Sequence, residues 1–221
     1  MPKKPSDRRP PSIPAINSTG VHNTLNRDLF LYAQAFHKAA KSLAESFQPD
    51  ANDFGYFDAF PIVFIYRHAL ELHLKAIVLG EGGKFLATEP DPISVSNSHS
   101  VSWLAQFVCQ ILTALKWEHE FKCEGVENLA DFRKIVATVN SVDPGSYNFR
   151  LPFDPYKRSS IREFAAKMDA ILELLSATAD GLAAEWNLRS GGEPTKPDSE
   201  GGGFGPTPSS SQCYRKRSDA G

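Results

Sequence analysis

The stretch FPIVFIYRHALELHLKAIVLG, Phe60 to Gly80, decides how the rest of the chain is read. Wound as an α-helix, it is apolar over most of its circumference. Ile62, Val63, Ile65, Ala69, Leu70, Leu72, Leu74, Ala76, Ile77 and Leu79 leave no ordinary solvent face. A helix apolar nearly all round belongs in an interior. Arg67, His68, Glu71 and Lys75 nevertheless fall within an arc of about 100° on one side. Arg67 and Glu71 stand four residues apart, as do Glu71 and Lys75, so each can pair along the helix. Charges inside a core need partners. The arc is therefore either an internal polar network or one wall of a functional cleft. A cationic pair held by a carboxylate beside a histidine suits a phosphate or another anion. His73 lies about 120° away from Arg67 on a regular helix, where a half-buried histidine with a backbone partner is the plain expectation.

Outward from this centre, four more helices are expected. Upstream, Leu25, Leu29, Tyr32, Phe36, Ala40, Leu43 and Phe47 recur at steps of three and four, behind Asn23 and Thr24 as candidate caps and ahead of Pro49 as a stop. Asp58 is a cap for the central helix and Pro61 suits its first turn, while Gly80 and the following Glu81-Gly82-Gly83 end it. Residues 84–98 read as a loop. From His99 a helix runs with Val101, Leu104, Val108, Ile111 and Leu115 on one face, widened by Trp103 and Phe107. A fourth carries Leu129, Phe132, Ile135, Val136 and Val139, and Asp143-Pro144-Gly145 closes it. The longest follows a Ser160-x-x-Glu163 capping box, with Ile161, Phe164, Met168, Ile171, Leu175, Leu182 and Trp186 in helical register and Gly181 as a weak point. Residues 146–158, SYNFRLPFDPYKR with Tyr147 and Arg150, are too apolar for a free loop and are expected to lie across the bundle. No strand pattern and no repeat is visible. The fold class is all-α, a five-helix up-down bundle over residues 21–189. Disordered tails flank it: basic and proline-rich over 1–20, low-complexity over 190–221.

Composition limits the function classes. The net charge of −2 gives no bulk argument for nucleic-acid binding. Cys109, Cys123 and Cys213 are odd in number and lack C-x-x-C spacing, as expected of reduced thiols in a cytoplasmic protein. MPKKPSDRRPPSIP has no apolar signal region, and no stretch reads as a membrane span. No H-E-x-x-H, P-loop, G-x-S-x-G or G-x-G-x-x-G appears, and Glu118-His119-Glu120 face different ways, so neither a metal nor a cofactor is expected.

Three segments carry a family resemblance. They are the aromatic-Arg-His-apolar-Leu-Glu-Leu-x-Leu-Lys helix from Tyr66 to Lys75, the helix start at His99, Val101 and Leu104, and Phe149-Arg150-Leu151-Pro152 before the last helix. Together they resemble bacterial HEPN-type helical domains over roughly residues 25–186. The chain departs from that pattern at Leu151, where an aromatic is usual, and at Ser100, where Asp often follows the histidine. The resemblance implies a helical bundle that dimerises and acts on RNA as a metal-independent endoribonuclease of a bacterial defence or toxin–antitoxin system. Its Arg-polar-…-His signature falls on Arg67, His68 and His73, with five residues between Arg67 and His73. Arg67 would neutralise the scissile phosphate and His68 or His73 would move the proton, with Glu71 completing the catalytic set. Lys75, His99, Tyr147 and Arg150 would bind. The implied partners are RNA, a second copy of the chain, and an antitoxin or other protein. The alternative expectation is a non-catalytic interaction or anion-binding module whose arc is a buried network. Exposure and convergence of these side chains discriminate the two.

Overall fold

A computed structural model of the chain describes residues 18–47, 55–142 and 161–191. These residues are all-α. Six helices run in order: α1 (Ser18–Ser46), α2 (Gly55–Leu79), α3 (Pro92–Asn97), α4 (Val101–Leu115), α5 (Leu129–Val142) and α6 (Ile161–Ser190), with one 3-10 turn over Glu81–Phe85. The only β feature among the described residues is an isolated bridge between Cys123 and Val126.

Helix α2 is the buried axis. Ile62, Val63, Tyr66, Ala69, Leu70, Leu74, Ile77 and Val78 are each at most 2% exposed. α1 runs antiparallel beside it, since Phe30 meets His73 while Phe36 meets His68. α6 packs on α2 through Phe164 against Tyr66. The expected stripes of α4, α5 and α6 are the ones buried: Val101, Leu104, Val108 and Ile111; Phe132, Val136 and Val139; Ile161, Met168, Ile171, Leu175 and Leu182.

Four local expectations are corrected. α1 begins at Ser18, so Asn23 and Thr24 lie inside it rather than capping it. Of its expected stripe, Ala40 and Phe47 are buried and Phe36 packs against the core, but Tyr32 is 63% and Leu43 40% exposed, and Ala33 is buried in their place. Small residues such as Ala33 and Ala40 suit a close helix–helix contact better than the bulkier Tyr32 and Leu43. α2 starts at Gly55, which places Pro61 inside the helix rather than in its first turn; Pro61 is exposed and supplies no amide donor there. Finally, the segment expected as a loop over 84–98 contains the short helix α3. Asp91 caps it, accepting from the Ser94 amide at 2.9 Å and the Ser94 hydroxyl at 2.6 Å, and Pro92 follows at the first helical position.

The stop after α2 is tight. A Cβ on Gly82 would sit 2.5 Å from the Ile77 carbonyl oxygen and 3.2 Å from Leu182, so the chain can fold back over the end of α2 only without a side chain there. Residues 143–160, including Tyr147 and Arg150, lie outside the described residues, as do 1–17 and 192–221, whereas residues 18–20 and 190, expected in the tails, belong to α1 and α6.

Candidate functional site

The charged arc of α2 is a closed ionic lattice. Arg67 Nη1 donates to Glu71 Oε2 at 2.9 Å, and Arg67 Nη2 donates to the His99 carbonyl at 2.6 Å. Lys75 Nζ donates to Glu71 Oε1 at 2.9 Å and to the Ser96 carbonyl at 2.8 Å. His99 Nδ1 adds a third donor to the same carboxylate, 3.0 Å from Oε1. Spacing of four residues places Arg67, Glu71 and Lys75 on one line of the helix. The two backbone carbonyls come from the end of α3 and the start of the turn into α4. The lattice thus bolts α2 to the α3–α4 corner, and Lys75 takes up one of the carbonyls that a helix end leaves without an intrahelical partner.

Burial decides what this lattice can do. Arg67 is 0%, Glu71 2% and Lys75 6% exposed, whereas the His99 side chain is 53% exposed. Burial alone pushes the Glu71 carboxyl up, but hydrogen bonds and charge from Lys75 and Arg67 outweigh it and the net direction is down. Glu71 is therefore a carboxylate, as its three donors require. His68 is half-buried at the edge of the same arc, with its ring on edge to Phe36 and parallel to Phe64. Burial lowers its pKa; Glu71 opposes that, while Arg67, Lys75 and His99 reinforce it.

His73 is not part of this constellation. It faces α1, 1% exposed, with Nδ1 donating to the Ala69 carbonyl at 2.8 Å and Nε2 unpartnered. Burial drives its pKa down to about 4, so it is neutral at pH 7. The structure therefore brings Arg67, Glu71, Lys75 and His99 together, with His68 alongside. It separates Arg67 from His73 on two sides of one helix.

A second polar cluster went unseen in the sequence. Asp169 Oδ1 on α6 accepts from the Tyr66 hydroxyl at 2.8 Å and from His37 Nε2 at 2.8 Å. The His37 ring lies 6.3 Å from those of both Tyr66 and His73. Burial and the Asp169 hydrogen bond raise the Tyr66 pKa. The available signal was polar residues at stripe positions: His37 sits between Ala33 and Ala40, and Asp169 between Ala165 and Leu172, all four of them buried.

Among the described residues no group of three or more His, Cys, Asp or Glu is placed to hold a metal ion, and no helix is long and apolar enough to cross a membrane. Comparison with protein-family models, with curated proteins and with solved structures gives no match.

Proposed function

We propose that the protein is a non-catalytic helical interaction module whose Arg67–Glu71–Lys75 lattice is structural. The observation that carries this reading is the complete burial of Arg67 with its guanidinium engaged by Glu71 and by the His99 carbonyl. A guanidinium that is to meet a scissile phosphate has to leave both partners and reach solvent. Breaking a buried pair of this kind costs about 3–5 kcal/mol. His73, buried and neutral on another face, supplies no matching base. The surface assigned to partner binding is the outward side of α1, where Leu31, Tyr32 and Leu43 stay exposed.

One observation favours a second reading, the RNA-directed activity implied by the HEPN resemblance. His99 is half-exposed, with one nitrogen held by a carboxylate. That is the geometry of an oriented general base, and in this reading His99 takes the role expected of His73, with His68 beside it.

One experiment separates the two. Purified protein is incubated with total RNA in the presence of a chelator, alongside Arg67→Ala and His99→Ala, with urea unfolding of each. The module reading expects no cleavage by any of the three. It also expects Arg67→Ala to lose about 3–5 kcal/mol of stability. Cleavage by the unmodified protein that disappears in a fully folded His99→Ala variant overturns it in favour of the ribonuclease.

A further inference from the structure

Away from both polar clusters, a groove of about 650 Å³ runs between α4, α5 and the segment that follows α2. That volume is in the range of small-molecule sites. Phe85 and Leu86 form one wall, Gln106, Cys109 and Gln110 of α4 another, and Arg133 of α5 stands opposite. Among the described residues the lining holds one charged side chain, Arg133, and no carboxylate. Arg133 uses Nε on the Leu129 carbonyl at 3.3 Å, and no ion pair joins it to a described residue. Its charge reaches the Cys109 thiol within the groove, where it opposes the upward push of burial.

We infer that this groove binds a small amphipathic anion, a carboxylate on an apolar body, with Arg133 taking the carboxylate and the Phe85–Leu86–Cys109 side taking the apolar part. A guanidinium fork matches a carboxylate in two parallel hydrogen bonds. A single cation suits one charge rather than a polyanion. The neighbouring cations are already engaged: Lys84 pairs with Glu81 and lies over Trp186, while Arg189 pairs with Glu185 and lies over Phe85. Among the described residues a nucleic-acid backbone would find no track of charges here. The inference is independent of the ionic lattice and of the reading given to it.

Cys109 lines the groove but is only 7% exposed and its thiol pKa is raised by burial, so it reports occupancy through slow alkylation, followed at alkaline pH. In the full chain with Cys123→Ser and Cys213→Ser, its alkylation by iodoacetamide is timed with decanoate, with decanol of the same chain length, and with a single-stranded RNA oligomer. The expected result is saturable, several-fold protection by decanoate, weak protection by decanol and none by RNA. Arg133→Gln is expected to bring decanoate down to the level of decanol with helix content unchanged. Ala114→Trp, on the exposed rim of the groove, is expected to abolish protection altogether. Equal protection by decanoate and decanol, protection insensitive to both variants, protection by RNA, or no protection by any probe overturns the inference.

Discussion

At the scale of single residues, the informative contrast is between two histidines, His73 on α2 and His99 in the turn between α3 and α4. His99 is held by a carboxylate and reaches solvent, whereas His73 is sealed against α1 and keeps one nitrogen without a partner. The His73 pKa of about 4 lies well below the value of 6.5 that the ring has in an unfolded chain. A lowered histidine pKa means the folded state binds its proton less readily than the unfolded one. The associated stability is fully present above pH 6.5 and is lost as pH falls toward 4. The shift corresponds to about 3 kcal/mol across that window. Glu71 adds a loss lower down, since its carboxyl is held below the ordinary 4.5. In urea titrations at a series of pH values, His73→Gln is therefore expected to flatten the slope between pH 6.5 and 4 while the drop below it persists. An unchanged slope would mean that another group carries the acid sensitivity. This part of the site was partly legible beforehand. The spacing of Arg67, Glu71 and Lys75 announced mutual pairing, and helical phase put His73 elsewhere. Whether the arc was sealed depended on a covering element, and α3 lies in a stretch whose serines and prolines read as loop.

At the scale of elements, stripes of large apolar residues were read correctly on α4, α5 and α6. On α1 the stripe was right at Phe36, Ala40 and Phe47 and wrong at Tyr32 and Leu43, with Ala33 buried instead. At the edge of that stripe α1 offers a choice between Tyr32 and Leu43 on one side and Ala33 on the other, and hydrophobicity favours the first. Close approach of backbones favours the second, and packing between neighbouring helices decides it. Small residues decide two other places as well. Gly181 lies in the middle of α6, and a Cβ there would touch the Trp117 ring at 3.4 Å, an ordinary contact. Replacing it with alanine removes the entropy cost of a helical glycine, about 0.5–1 kcal/mol. Gly82 has no such room, because the obstacle is backbone. Thermal unfolding should show Gly181→Ala melting above the unmodified protein and Gly82→Ala melting below it. If both variants melt together, the space around the two glycines has been misjudged.

At the scale of the whole molecule, α2 is fastened on two sides by polar contacts within an apolar core. One side bonds to the α3–α4 corner through Glu71; the other meets α1 and α6 through Tyr66, His37 and Asp169. A single sequence discloses the first because its partners repeat along one helix. It hides the second because nothing in residue order says that α1 and α6 adjoin. Buried polar bonds of this kind add little net stability when made, yet leaving one unmade costs the desolvation of the orphaned group. The two fastenings share no hydrogen-bonding residue among those described, and independent sites have additive effects within about 0.5 kcal/mol. A double-mutant cycle on Glu71→Gln and Asp169→Asn tests whether α2 is a rigid strut between independent anchors or the carrier of one continuous network. Each single variant is expected to destabilise, since Arg67 and Lys75 lose their charge partner in one, and Tyr66 and His37 theirs in the other. The double variant is expected to lose the sum of the two. A coupling well beyond that margin would mean that movement at the α3–α4 corner is felt at α1, the helix whose exposed Leu31, Tyr32 and Leu43 are proposed to meet a partner. The two faces of the bundle would then have to be treated as one switchable unit rather than as a fixed scaffold.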